Sequence, residues 1–402
     1  MNKTVFPILA VFLCMGFGDA AGALVNLVTG SFRVSNTVAS LIASAGFIMF
    51  GLLSVPMGVV QYRVGKKNVL ILGLGVFFVG VMIPVFGLSF HWLLLAVFIM
   101  GGGAAILQVA GNPIMRDVSG EGKYSRNLSF GQFIKAIGSL SATVIPALAA
   151  GRLISGYFAF RPPGGTPRPT EWRILFPIYA AVILLTLGWI LTLRVQEKQS
   201  PNQKPTTLHS SLRALGNRSI RLMVIGIFLY VGAEVSMSSK IAIFFSDRYG
   251  IDLTRIGMLG VGMFFLALTL GRFLGSVILN WVKPGHFLAI TSVVSMAGIA
   301  GIFVDHLPLA WICVFMVGIG FANIFPLIFS ITVDRFPGKT NEISGLMVTA
   351  IVGGAIVPLI TGIVADIRMM LSFLVPLACI GYVLVISLRM LRQSPVAGGV
   401  GR

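Results

Sequence analysis

The stretch Gln108–Leu140 reads QVAGNPIMRDVSGEGKYSRNLSFGQFIKAIGSL, and the fold follows from how it is interpreted. An apolar run carries Gln108 and an Asn112-Pro113 pair deep inside it. A short charged turn follows, and then a second apolar run that holds Gln132 and Lys135. Polar groups at such depth are costly in a bilayer, so they face a cavity or a partner helix. Gln108 and Asn112 stand four apart and Gln132 and Lys135 three apart, which puts each pair on one helix face. The stretch therefore reads as one wall of a pathway through a membrane.

The rest of the composition agrees. Of the 402 residues, 56% are hydrophobic and 10% charged, with a mean hydropathy of +0.95, outside the range of water-soluble domains. At roughly 20 residues per span, a chain of this length accommodates about twelve helices. The expected class is an all-α membrane protein of two pseudo-symmetric six-helix bundles. Forty-eight glycines, most of them inside apolar runs, suit close helix packing in lipid. The net charge of +18 does not indicate nucleic acid, because the basic residues lie mainly in loops on one side of the membrane. Cys14, Cys313 and Cys379 sit within apolar segments and read as packing residues, and the four histidines show no metal-ligand spacing.

Taken in order, the spans are expected near 4–29, 37–61, 68–88, 91–115, 126–150, 174–195, 219–245, 253–281, 286–304, 308–333, 341–365 and 370–391. The run after Met1-Asn2-Lys3 has no small-residue cleavage site, so the first helix reads as a retained span. One long polar linker divides the chain into a first bundle (1–195), a linker (196–218) and a second bundle (219–402). With an even number of spans, nineteen Lys and Arg residues fall on the face of the termini and eight on the other. That asymmetry predicts cytoplasmic termini in the inner membrane of a cell. The halves repeat weakly: GGGAAILQVAGNP (101–113) parallels GIGFANIFP (318–326), and IPAL (145–148) parallels VPLI (357–360). Parallel halves around a central site are an arrangement known for transporters.

Several motifs carry a family resemblance. The segment GVVQYRVGKK (58–67) looks like the loop signature of the major facilitator superfamily, with Tyr62 where an Asp is usual. GDAAGALVNLVTGSF (18–32), LQVAGNP (107–113), RNLSFGQFIKAIGSL (126–140), GAEVSM (232–237), GRFLG (271–275) and FPLIFSI (325–331), in that order, resemble the fucose permease and glucose/galactose transporter branch. The resemblance implies a sugar–cation symporter working by alternating access. It implies that Asp19 handles the coupling proton or contacts sugar, and that Gln108, Asn112 and Gln132 line the cavity. Lys135 departs from the pattern, standing where the branch has a sugar-binding Asn.

The residues support this reading in their own terms. Asp19 lies mid-way along the first span with Asn26 two turns further on the same face, and a mid-membrane acid is a functional candidate by default. Glu234, mid-way along the seventh span, reads as a second proton or cation site or as a bond between helices. Asn323, with Gln108, Asn112 and Gln132, suits sugar recognition, because an amide both donates and accepts as a hydroxyl requires. Lys135 reads either as the ion-pair partner of Asp19 or as a contact for an anionic substrate. Arg272 is expected to anchor helix packing near the basic face. The glycine clusters at 101–103 and 353–354 lack the context of phosphate loops, and no nucleophile–base set appears, so no enzyme is expected. The expected activity is inward symport of a hexose or 6-deoxyhexose with H+. Alternatives are coupling to Na+, an anionic sugar, or a drug or metabolite antiporter on the same fold. Expected partners are the sugar and the lipid bilayer, with no cofactor, no nucleic acid and a monomeric state.

Overall fold

In hydrocarbon a backbone has to satisfy its own hydrogen bonds, and a single apolar run does so as a helix. The computed structural model describes residues 4–19, 36–86, 89–149, 175–194, 206–251, 258–304 and 306–392, and the regular elements among them are helical. The first half contributes α1 (Val5–Asp19), α2 (Asn36–Val64), α3 (Lys66–Phe86), α4 (Phe90–Val118), α5 (Tyr124–Ala149) and α6 (Leu175–Thr192). A short helix, α7 (Leu208–Ala214), follows in the polar linker, where the Thr207 hydroxyl accepts from the Ser210 N–H. The second half holds α8 (Arg218–Tyr249), α9 (Met258–Ile278), α10 (Pro284–Gly301), α11 (Leu307–Phe321), α12 (Ile324–Arg335), α13 (Thr340–Thr349), α14 (Gly353–Ile367), α15 (Met369–Ser372) and α16 (Leu374–Arg392).

Among the described residues, ten helical stretches are long and apolar enough to cross a membrane, and α1 is a shorter apolar helix. The 26-residue α5 occupies the expected place between α4 and α6. Leu185 and Leu359 are 75% and 68% exposed, which suits faces solvated by lipid chains as apolar as leucine itself. Where the sequence predicts one helix over 308–333, the structure breaks it. Asn323 has φ −112° and ψ 2°, separating α11 from α12. The span predicted over 341–365 passes through a 3-10 turn at Ala350–Val352. Of the span predicted over 4–29, the described helix ends at Asp19, and Asn26 lies outside the described residues.

The helix packing repeats between the halves. In the first, α1 packs on α4, α5 and α6, while α4 packs on α2 and α3. In the second, α8 packs on α12, α14 and α16, while α11 packs on α9 and α10. Glycines set the same crossing in both halves. A Cβ on Gly16 would collide with the Lys135 carbonyl of α5, and one on Gly353 would collide with the Phe228 carbonyl of α8. Small residues let membrane helices approach to backbone contact, which replaces the hydrophobic drive that lipid removes. The halves meet where α2 packs on α13 and α5 on α9, with the Phe133 and Phe273 rings 5.3 Å apart.

Candidate functional site

In the first half, α4 and α5 form the expected wall. Gln108, Asn112, Gln132 and Lys135 are 2%, 0%, 3% and 8% exposed, so all four polar side chains lie inside the protein. Both amide atoms of Asn112 and the Nε2 of Gln132 are buried without a hydrogen-bond partner among the described residues. The Tyr124 hydroxyl donates to the Asn112 main-chain oxygen at 3.0 Å. That bond fixes the start of α5 to the turn of α4 that Pro113, lacking an N–H, loosens. Lys135 stands where α5 meets Gly16 of α1, and Asp19 closes α1 one turn further on. The Asp19 side chain lies outside the described residues, as therefore does the expected pair with Lys135.

In the second half, Tyr230 and Glu234 stand one turn apart on α8, and the Tyr230 hydroxyl donates to Glu234 Oε2 at 2.5 Å. Arg272 of α9 brings its Nη2 to 3.7 Å from Glu234 Oε1, with the two side chains 13% and 20% exposed. Arg272, expected only to anchor packing near the basic face, thus supplies the cation at Glu234. Asn323 sits at the break between α11 and α12 and donates its Nδ2 to the Gly271 carbonyl at 2.7 Å. A Cβ at Gly275 would collide with the same amide, and one at Gly271 with Ala322, so the glycines of GRFLG let α9 close on the break between α11 and α12. The structure therefore gathers Gln108, Asn112, Gln132 and Lys135 on the α4–α5 side. Glu234 and Asn323 lie among α8, α9 and α12.

At the basic face the halves are joined by polar bonds. Arg116 Nε donates to Asp334 Oδ1 at 2.8 Å, and Gln61 Nε2 to Asn341 Oδ1 at 2.6 Å. Ser125 and Ser330 hydroxyls are 2.8 Å apart, and Arg126 Nη1 donates to Asn280 Oδ1 at 3.0 Å. The loop signature takes part directly. Gln61 makes the bond to Asn341, and a Cβ on Gly58 would press on the Asn341 carbonyl. Gly65 makes the tight turn into α3 at φ 87°, a left-handed conformation that glycine adopts without penalty. Lys66 pairs with Asp117. Sequence reasoning used Arg116 and Arg126 only as markers of orientation and missed Asp334, Asn341 and Asn280. One signal was available: Arg116-Asp117 and Asp334-Arg335 end helices at equivalent places of the repeat.

Two helix bundles of matching packing are joined at one face and hold buried polar groups between membrane spans. The sequence pattern of the Major Facilitator Superfamily matches residues 8–358. The chain belongs to that superfamily. The glucose/galactose transporter of Brucella abortus biovar 1 (strain 9-941) is 30% identical, over 88% of this chain and 85% of its own length. The L-fucose-proton symporter of Escherichia coli (strain K12) is 24% identical, over 84% and 80%. The crystal structure of the transporter FucP in the outward conformation matches with a TM-score of 0.80 at 21% identity, covering 96% of this chain and 99% of that one. That last likeness speaks for the fold alone.

Proposed function

We propose that this transporter carries a neutral monosaccharide, a hexose or 6-deoxyhexose, inward with a proton across the inner membrane, with both termini cytoplasmic. The observation that carries the reading is the pair of buried amides, Asn112 and Gln132: both amide atoms of the first and the Nε2 of the second lack hydrogen-bond partners among the described residues. Leaving such a group unpaired costs about 1–3 kcal/mol. A ligand rich in hydroxyls relieves that cost, since each hydroxyl both donates and accepts as an amide does. Named relatives that transport glucose and galactose, or fucose with a proton, support the substrate class.

The bonds at the basic face fit an outward-facing state, in which sugar reaches the amide wall from the opposite side. Turning inward requires Arg116–Asp334 and Gln61–Asn341 to part. The Arg116–Asp334 pair is partly exposed and worth about 0–1 kcal/mol, and the buried neutral Gln61–Asn341 bond about 0.5–1.5 kcal/mol, so the two states stay close enough to exchange. Asp19 and Glu234 are the proposed coupling acids. A proton on Glu234 removes the charge that holds Arg272 and alters the link between α8 and α9, the helix that packs across to α5.

Counterflow in proteoliposomes against a panel of neutral and acidic sugars tests the substrate class. Exchange of hexoses supports it, and exchange of lipophilic cations with no sugar uptake overturns it. Lys135, a cation in a wall of amides, favours a second reading, an anionic sugar, because a hydrogen bond from an ammonium to an anion is stronger than one to a neutral hydroxyl. Uronate uptake by the wild type, reversed to neutral sugar by Lys135→Asn, would establish that second reading.

A further inference from the structure

Tyr230 is 1% exposed, and a phenol buried so deeply in α8 needs a partner for its hydroxyl. That partner is a charge. The hydroxyl donates to Glu234 Oε2 at 2.5 Å, while Arg272 Nη2 faces the other carboxylate oxygen at 3.7 Å. The neutral group thus makes the closer contact. Behind the hydroxyl, the ring meets Phe321, the last residue of α11, edge-on at 5.8 Å, and Phe321 meets Phe264 of α9 edge-on at 6.0 Å. Two residues past Phe321, Asn323 bonds to the Gly271 carbonyl, next in sequence to Arg272. The contacts close a circuit from α8 through the α11–α12 break to α9 and back. Tyr230 cannot swing away from Glu234 without opening it.

A hydrogen bond to a charged acceptor is roughly twice as strong as one between neutral groups, so the phenol favours Glu234 as a carboxylate over Glu234 as an acid. Once protonated, the acid is itself a donor and the Tyr230 oxygen turns from donor to acceptor, so the contact survives in weaker form. Arg272 is the one charged residue of α9, and α11, α15 and the 3-10 turn at Ala350–Val352 carry none. Asp334, Arg335, Glu342, Arg389 and Arg392, on the other helices packed against α8, stand at the basic face. Thr361 of α14 bonds to Ser236, which places Asp366 of the same helix more than a turn beyond Glu234. On α8 itself, Lys240 reaches toward Gly362, and Arg218, Arg221, Asp247 and Arg248 lie at the ends. The titratable neutral groups of α11 and α16 are Cys313, Cys379 and Tyr382, the last bonded to the Leu222 carbonyl. Among the described residues, Tyr230 and Arg272 are therefore the groups that act on this carboxylate.

We propose that Tyr230 is the positioning residue of Glu234: its hydroxyl holds the carboxylate against Arg272 and sets the pH at which Glu234 takes up a proton. The proposal rests on the reading of Glu234 as a coupling acid and adds the group that tunes it. It does not depend on which sugar is carried. Without the hydroxyl, the carboxylate keeps only the longer contact to Arg272 and binds its proton more tightly. Release of the proton on the inward side then becomes the step that slows.

Infrared spectroscopy of the purified full-length protein over a pH series tests the proposal without any substrate. The carboxylic-acid carbonyl band that Glu234→Gln removes belongs to Glu234, and its midpoint reports proton uptake at that side chain. Tyr230→Phe keeps the ring on Phe321 and removes only the hydroxyl. In that variant the midpoint is expected about one pH unit higher, a tenfold gain in proton affinity. Should Tyr230→Phe fail to fold, Phe321→Leu leaves the hydroxyl but frees the ring behind it, and is expected to raise the midpoint by about half a unit. A midpoint unchanged or lower in the variant that folds overturns the proposal and leaves Glu234 a coupling acid. A fall in thermal midpoint with the band unmoved likewise overturns it, since it marks a tyrosine that only packs. If Glu234→Gln removes no such band at any pH, Glu234 takes up no proton, and its reading as a coupling acid falls together with the proposal.

Discussion

Asn112 keeps both amide atoms and Gln132 its Nε2 without partners in the first half, whereas in the second Tyr230, Glu234 and Arg272 interact with one another and Asn323 bonds to Gly271. The two sets do not occupy matching places of the repeat, since α8 packs as α1 does and α11 as α4 does. Among these four second-half residues the exceptions, Arg272 Nε and Asn323 Oδ1, belong to groups already anchored through another atom. An anchored polar group fixes how helices sit. An open one keeps its bonding capacity for something that arrives from outside. On the proposed reading, recognition falls to α4 and α5 and helix positioning to α8, α9 and α12, with the coupling acids Asp19 and Glu234 divided between the halves.

The largest expected effect is that of Asp19→Asn on coupling. Loss of the carboxylate should abolish proton-driven accumulation in proteoliposomes while leaving counterflow exchange measurable, because the binding wall remains intact. Normal accumulation by this variant would leave Glu234 as the sole coupling acid and confine the first half to recognition.

Next in size are Gln108→Ala and Asn112→Ala. Apparent sugar affinity should fall about ten- to hundredfold, equivalent to one polar partner lost. The thermal midpoint of Asn112→Ala should hardly change, because its amide makes no internal bond to lose. Unfolding without any change in affinity would break the comparison at its strongest point.

Asn323→Ala should do the reverse. Its bond to Gly271 contributes about 1 kcal/mol, so stability falls while sugar affinity stays within a factor of about three. A tenfold loss of affinity at unchanged stability would move Asn323 into the recognition wall.

The smallest effect belongs to the basic face. Arg116→Gln removes an ion pair whose acid is 50% exposed, worth about 0–1 kcal/mol. Labelling of a cysteine placed near Asn341 should therefore rise about fivefold at most. High salt should weaken the wild-type pair in the same direction.

Much of the fold was legible because lipid leaves little choice. An apolar run of about 20 residues has to be a helix. The polar residues of α4 and α5 stood out for the same reason, since Gln108, Asn112, Gln132 and Lys135 interrupt runs that exclude polar groups. Arg272 was legible as a buried charge but not as the partner of Glu234, because 38 residues and a change of helix separate them. Asp334 and Asn341 look like ordinary loop-edge residues until the halves close on each other.

The sequence by itself determined a helical membrane protein of two repeated bundles, because hydropathy acts on each segment separately. It also determined which residues are polar at depth, since position along an apolar run measures depth. Which of those residues bond each other and which stay open was decided only by tertiary structure. Asn112 and Asn323 are both amides in apolar surroundings, and nothing local distinguishes them. One reaches a carbonyl of a neighbouring helix and the other does not, a matter of helix crossing set by glycines such as Gly16, Gly275 and Gly353. Hydrogen bonds depend on tenths of an ångström between distant segments, which hydropathy does not encode.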